Sequence, residues 1–472
     1  MPTPIALTHV TVIDATGAPA RPDMTVLVRD GVITAVGRAS EVPVPGDAVL
    51  LDLTGKFLIP GLADMHIHTD DIPQVYLPLS LANGVTTLRQ MSGQPHHHRW
   101  RREIAGGSLL GPRLVIASRM IDGIPSLWDA FPGGADAGVP FLRVGDEASA
   151  RRAVRDAKQE GADFVKVYSR VSRDVYFALA DEAQAQGLPL VGHIPDQVPV
   201  TEASDAGQAG FEHVHALFPA TSKQDAAHLA ELAEIDPGEG AYANWFHLLN
   251  RVEWESAHSY SPFRAAKVFE RLIANGSAFT PTLTMHRMLD MPHHGSLADD
   301  RLKYLPASIR GIWEWVHDEM YTAGRTAAEA AQRAVLFQRR LAITKAMDEA
   351  GVRLLAGSDN PTLFGYHGFD LHTELELMVA AGLTPMRALQ TATVEPARFL
   401  GTQHVQGTVE ADRYADLVVL DADPLEDIRN TTRIHAVVAA GHLITPARRE
   451  QMLADVRAAV AAIDAPAPAP CC

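Results

Sequence analysis

Eight short apolar segments, spaced by helical patterns, constrain the fold of this chain more than any other feature. They are FLIPGLADMHIH, GVTTLRQMS, RLVIASRMI, FVKVYS, LPLVGHI, FEHVHAL, AFTPTLTM and RLLAGSD, all lying between residues 57 and 359. Helical stretches such as 147–160 (EASARRAVRDAKQE) and 173–187 fall between several of them. Repeated strand–helix alternation predicts an α/β fold with a parallel sheet. Eight such units predict a closed (β/α)8 TIM barrel, which takes about 250 residues. The chain has 472 residues, leaving room for a second, smaller domain.

That second domain is read from the flanks. IALTHVTVID, TVLVRDGVITAVG and AVLLDLTGKFLIP are rich in Val, Ile, Leu and Thr and punctuated by Gly, Pro and Asp, as short strands are. Strands return in ADLVVLDADP (415–424) and HAVVAAGHLI (435–444). The expected layout is a composite β-sandwich from residues 1–59 and 406–446, a barrel over 60–405, and a C-terminal helix with a disordered APAPAP end over 447–472. Residues 284–350 exceed one strand–helix unit and are expected to form a helical insertion near the barrel mouth, poised as a lid.

Composition removes several functions. With 41 Lys and Arg against 57 Asp and Glu, the net charge is −16. A phosphate backbone needs clustered cations, so nucleic acid is an unsuitable partner. The two cysteines, Cys471 and Cys472, end the chain and cannot staple its body. A terminal Cys-Cys pair is a lipidation site in some proteins, but no basic segment precedes it here, and a frayed tail is the plainer reading. No basic region followed by an apolar stretch opens the sequence, and no apolar run reaches the ~18–20 residues of a spanning helix. A cytoplasmic protein without membrane contact, acting on a small molecule, is expected.

The chemistry lies where polar residues meet the ends of the apolar segments, since a TIM barrel builds its active site at the C-terminal ends of its strands. His66 and His68 close the first segment, two apart and therefore on one side of a strand. Such a pair is a ready set of imidazole ligands for a divalent metal. Lys166 lies within FVKVYS, where a charged, unpartnered lysine would be costly. Carbamylation by CO2 is one solution, converting the amine into a carboxylate-like ligand. His193, His213 and Asp359 close three further segments. A lone histidine in an apolar run is usually a core residue; six ligand-type residues in series are a different matter.

PGLADMHIH, GADFVKVY, VGHIP, FEHVH and AGSD, together with ADLVVLDADP and ELELMVAAGLTPMRALQTATVEPARFLG, resemble the amidohydrolase superfamily. The resemblance runs from about residue 5 to 445. Lys166 makes it closest to a dinuclear-metal branch of Xaa-Pro dipeptidase-like and ochratoxinase-like members. The mononuclear imidazolonepropionases, otherwise related, lack this lysine. The resemblance implies a carbamylated Lys166 bridging two divalent ions, usually zinc. One ion would use His66, His68, Lys166 and Asp359, and the other Lys166, His193 and His213. His213 rather than His215 takes the ligand role, because FEH resembles the family's IEH. The implied reaction is attack on an amide by a metal-bridging hydroxide, with Asp359 as general base and then acid. N-acyl amino acids, dipeptides or related amides are the implied substrates, and a homo-oligomer is a common assembly.

Other residues are candidates for substrate contact. Tyr168 shares the face of Lys166 and either stabilises an oxyanion or packs in the wall. Trp128, His286, Tyr366 and His367 fall in segments following strands. His96, His97 and His98 form a run read as a solvated loop, with His97 the candidate to reach the site. Dipeptidase-like members usually carry an Arg-Asp pair as in TTVRDLGG; this chain has Arg89, Gln90 and Met91, a departure that counts against a dipeptide substrate. Two rival readings use the same residues: an ester, lactone or phosphotriester hydrolase, and a metal-free scaffold like the non-catalytic relatives of dihydropyrimidinase. The scaffold relatives have lost ligands, whereas all six are present here.

Overall fold

The computed structural model describes residues 3–130, 141–236, 238, 241–296 and 298–465. The APAPAP end and Cys471–Cys472 lie outside the described residues.

Strands β1 (Ile5–Val12), β2 (Arg21–Arg29), β3 (Val32–Arg38), β4 (Val49–Asp52) and β5 (Phe57–Pro60) open the chain. The barrel strands follow: β6 (Leu62–Ile67), β7 (Val85–Gln90), β8 (Arg113–Asp122) with its short neighbour β9 (Phe141–Arg143), β10 (Phe164–Val167), β11 (Leu190–Gly192), β12 (Gln208–Glu212), β13 (Ala278–Thr280) and β14 (Arg353–Leu354). Strands β15 (Leu417–Leu420), β16 (Ile434–Ala439) and β17 (His442–Ile444) close the sequence of strands, before a helix Pro446–Asp464.

The eight barrel strands are parallel in the order β14-β13-β12-β11-β10-β8-β7-β6. Backbone bonds join the last to the first: Met65 N to Ala356 O at 2.9 Å, Asp359 N to His66 O at 2.7 Å, and His68 N to Asn360 O at 2.7 Å. The predicted TIM barrel is therefore present. Strands β6, β7 and β10 are buried along their length, as strands covered on both faces must be. Phe399, from the helix Val394–Phe399, packs into the barrel beside Ala63, Met91, Phe164 and Val191. Each buried aliphatic or aromatic side chain stabilises by about 1.5–3 kcal/mol.

The second domain combines both ends of the chain in one mixed sheet, ordered β17-β16-β15-β5-β1-β2-β3 with β4 on β1. Its own core includes Leu7, Val10, Val26, Leu58, Leu417 and Val438.

Two long segments leave the barrel. A helix Ala241–His258 lies between β12 and β13. Between β13 and β14 come helices Leu283–Asp290 and Ala307–Trp315, a π-helical turn Val316–Tyr321 and a helix Ala327–Ala350. The strand expected over 278–285 stops at Thr280. Pro281 has no N–H for the ladder, and Thr282 adopts a left-handed φ of 47°. The chain then turns helical, with Leu283 N and Thr284 N donating to the Glu374 carboxylate at 2.9 and 2.8 Å.

Candidate active site

His66 ends β6 pointing into the barrel mouth and is fully buried; His68 follows one turn of the pleat later and is half-buried. Their Nε2 atoms lie 3.2 and 3.4 Å from Asp359 Oδ1. All three offer ligand atoms within 4.8 Å of one another. Asp359 holds a left-handed φ of 58°, a strained conformation for a non-glycine residue. Gly357 makes the approach possible, since a Cβ there would sit 2.8 Å from the His66 Cβ.

Lys166 enters from β10 and is buried. Among the described residues its Nζ has no hydrogen-bond partner. Burial pushes it down to about 8, although the Glu212 and Asp359 carboxylates pull the other way. A buried amine that readily sheds its proton, with no partner of its own, fits a lysine that takes CO2. Next to it, Gly192 has a φ of 142° and lies so close to β10 that a Cβ would sit 2.1 Å from Val167 O. That glycine brings β11, and hence His193, against Lys166.

His193 and His213 complete the mouth. Ring centroids lie 4.8 Å apart for His66–His213 and for His193–His213. Each of the four histidines commits Nδ1: His66 donates to Glu212 Oε2 at 2.7 Å, while His68 meets Ser92 Oγ at 2.9 Å, His193 meets Ser169 Oγ at 2.7 Å and His213 meets Thr282 Oγ1 at 2.7 Å. Metal-binding imidazoles are oriented in this way by a partner on the other ring nitrogen. Burial holds His66, His193 and His213 well below their ordinary pKa, with Lys166 adding to it. They are neutral, as imidazole ligands must be. The donor set of neutral imidazoles, a carboxylate and an unpartnered lysine therefore fits a site for divalent ions.

The motif residue Glu212 carries a role that its sequence position did not suggest. It lies at the end of β12 inside the barrel, one oxygen on His66 and the other accepting from Arg89 Nη2 at 2.6 Å. Arg89 also donates to Met65 O and to Thr280 Oγ1 at 3.0 Å, and its guanidinium lies over Phe399. The residue noted for its sequence context thus braces the barrel interior from β7. The sign of it in the sequence was an arginine inside a barrel strand, VTTLRQ.

A cavity of about 320 Å3 opens above these residues. Tyr168 and Trp128 line it. The Tyr168 hydroxyl is 2.8 Å from that of Tyr242, and its ring lies 4.0 Å from His193. Tyr242, Trp245 and Phe246 come from one face of the helix Ala241–His258, at i, i+3 and i+4. Ile309, Ile312 and Trp313 repeat that spacing on the helix Ala307–Trp315, within the segment expected as an insertion. These two faces went unrecognised in the sequence, where the spacing reads equally well as core.

Four expected substrate contacts lie elsewhere. His286 is fully buried on the helix Leu283–Asp290, where its Nε2 accepts from Val214 N at 3.2 Å. Tyr366 is buried under Arg301, whose guanidinium lies 4.3 Å from its ring. His367 Nε2 lies 2.8 Å from His68 O, and the ring packs on Tyr76. As the bond partner is a carbonyl, His367 donates, and it steadies His68 from behind. His97 is not in a solvated loop: it begins the helix Pro95–Ala105, buried, with Nδ1 accepting from Gln94 N at 3.1 Å and Nε2 at 2.9 Å from Thr69 Oγ1. His96 is buried with it and His98 meets Arg101. His215 does face the cavity, its Nδ1 3.8 Å from Glu253.

Among the described residues no helix is long and apolar enough to cross a membrane. A family model described as the amidohydrolase family matches residues 57–444. The enamidase of Eubacterium barkeri is 33% identical over 93 residues, which span 18% of this chain and 24% of that protein. The imidazolonepropionase of Pseudomonas paraeruginosa is 25% identical over 84% of this chain and 87% of its own length. Among solved structures, one from Bifidobacterium longum assigned as a prolidase superposes with a TM-score of 0.66 at 25% identity, covering 96% of this chain and all of its own.

Proposed function

The chain belongs to the amidohydrolase family, and from that premise we propose a metal-dependent hydrolase that cleaves the C–N bond of a small-molecule amide, such as an N-acyl amino acid, a dipeptide or a related amide. Hydrolysis of C–N bonds is common to the imidazolonepropionase and prolidase it resembles. The observation that carries the reading is the convergence of His66, His68 and Asp359 within 4.8 Å beside the unpartnered, buried Nζ of Lys166.

His66, His68 and Asp359 would hold one ion, His193 and His213 a second, and Lys166, once carbamylated, would join both sets. Two divalent ions, zinc being the expected one, would supply Lewis acidity that lowers the pKa of a water towards neutrality and polarises the scissile carbonyl. Asp359 has its carboxylate at the centre of the mouth and can take the proton of the attacking water. The same oxygen then delivers it to the departing nitrogen. His66 is kept in the Nδ1–H tautomer by Glu212, so that its Nε2 presents a lone pair. Tyr168, at the cavity wall beside His193, is placed to donate to a developing oxyanion.

The test is elemental analysis of purified protein with an amide panel before and after chelation. About two ions per chain and chelator-sensitive amide cleavage are expected. No metal after attempted loading would overturn the reading. One ion per fully loaded chain would remove Lys166 from its bridging role.

A further inference from the structure

Resting on that reading and narrowing it away from N-acyl amino acids and dipeptides, we infer that the substrate is an amide with a bulky apolar or aromatic group and no free carboxylate near the scissile bond. The argument comes from what lines the cavity above the metal-ligand cluster. Trp128, Tyr168, Tyr242, Trp245, Phe246 and Tyr321 supply rings. Trp128 and Tyr242 lie 5.2 Å apart by ring centroid, Tyr242 and Phe246 also 5.2 Å, and Phe246 and Tyr321 6.3 Å. This is a continuous aromatic wall drawn from several elements.

No lysine or arginine lines the cavity among the described residues, apart from Lys166 in the cluster itself. The residues not described contain neither type. His215 faces the cavity but already lies 3.8 Å from Glu253, whose carboxylate is held by Arg340 at 2.8 and 3.0 Å. Its charge, if it takes one, is met from behind. Among the described residues the remaining carboxylate or imidazole of the lining outside the cluster is Asp70, exposed and of the wrong sign for an acid. A carboxylate pressed against the rings would lose its water and gain no counter-charge from a side chain of that wall, which is costly. An aromatic group in the same place gains burial and ring contacts. The cavity of about 320 Å3 is roughly twice the ~150 Å3 that holds one benzene ring. It suits an amide with one ring and a short acyl part.

The experiment compares a matched pair, N-acetyl-phenethylamine and N-acetyl-phenylalanine, which differ by the carboxylate alone. Binding to the metal-loaded protein is read by quenching of tryptophan fluorescence, since Trp128, Trp245 and Trp313 line the cavity. The neutral amide is expected to bind at least about tenfold more tightly. Ile312 is 43% exposed on the cavity wall, so Ile312→Arg adds a guanidinium there with little cost to folding. That variant should bind the acid several-fold better and the neutral amide no better. Equal or tighter binding of the acid by the unaltered protein overturns the inference. So does failure of both ligands to bind, or an Ile312→Arg protein in which the acid gains nothing. Turnover separates this from the hydrolase reading. A neutral amide that binds as expected but survives the metal-loaded protein overturns the hydrolase and leaves the cavity's preference standing. Cleavage without preference does the reverse.

Discussion

Arg89 and Glu212 form a fully buried ion pair in the barrel interior, Nη2 to Oε1 at 2.6 Å, and the second oxygen of that carboxylate fixes the Nδ1–H of His66. One carboxylate thereby links the brace of the barrel to the tautomer of a metal-ligand candidate. Arg89→Met should leave a buried carboxylate without its cation, and breaking such a pair costs about 3–5 kcal/mol. Urea unfolding measures it. Glu212→Gln breaks the same ion pair and should act on the metal as well. The amide has one oxygen for two donors, so His66 loses its orienting acceptor or Arg89 does. Loss of such an orienting partner lowers metal affinity about 10–100-fold, which a chelator competition will read. Unchanged affinity in Glu212→Gln would break the link between the brace and the site.

Asp359→Asn should retain the fold and lose turnover. The amide cannot accept a proton from water, and positioned acid–base groups contribute roughly 10²–10⁴-fold. The loss is expected in kcat on an amide substrate, with circular dichroism unchanged. The backbone at this position favours the substitution, because asparagine tolerates the left-handed φ of 58° better than most residues. A variant with full kcat would remove Asp359 from proton transfer.

The ligand-type residues were legible because each sits at a strand end, where side-chain alternation and the polarity of barrel mouths both constrain it. His66, His68, Lys166, His193, His213 and Asp359 are all at the C-terminal ends of barrel strands or one to five residues beyond. The aromatic wall of the cavity was not legible. Tyr242, Trp245 and Phe246 occupy i, i+3 and i+4 on a helix, a pattern that core packing produces just as readily. His286 lies outside the cavity lining for a related reason, whereas Tyr366 and His367 lie in the turns before the helix Phe369–Ala381. Being near a strand end in sequence says nothing of direction once the chain turns helical, as it does after Thr282. The run His96–His98 looked polar, but two of its rings are consumed inside the protein by Gln94, Thr69 and Trp100. His286→Ala should accordingly lower the melting temperature, while leaving KM on a cleaved amide unchanged.

Acid should unfold the protein partly through Glu253. Burial raises its pKa, but the Arg340 guanidinium, aided by His215, outweighs this and holds it at about 2, against an ordinary 4.5. A folded pKa below the unfolded one stabilises the protein above about pH 4.5, and that stability disappears as pH falls through about 2. Glu253→Gln should be less stable at pH 7, by an amount of the order of 3–5 kcal/mol for a broken buried pair. It should also show a flatter decline between pH 4.5 and 2. Denaturant midpoints across that range check both, and parallel acid limbs would rule out Glu253 as a contributor.

Lys166 gives the sharpest prediction about the site. Among the described residues its Nζ is buried without a partner, and burial lowers its pKa to about 8, so a neutral amine is available near neutral pH to add CO2 and release a proton. With 13C-labelled bicarbonate, the protein should show one carbamate carbon resonance, absent from Lys166→Ala. That variant should also hold fewer ions per chain, because the remaining donors split into His66, His68 and Asp359 on one side and His193 and His213 on the other. Added short carboxylates such as acetate are small enough to occupy the space of the missing side chain and should restore part of the metal content. Lys166→Arg should not be rescued, since a permanently charged guanidinium would fill that space. If Lys166→Ala bound two ions as tightly as the unaltered protein and the resonance were missing, the lysine would be a structural residue of β10 and the site would rest on the histidines and Asp359 alone.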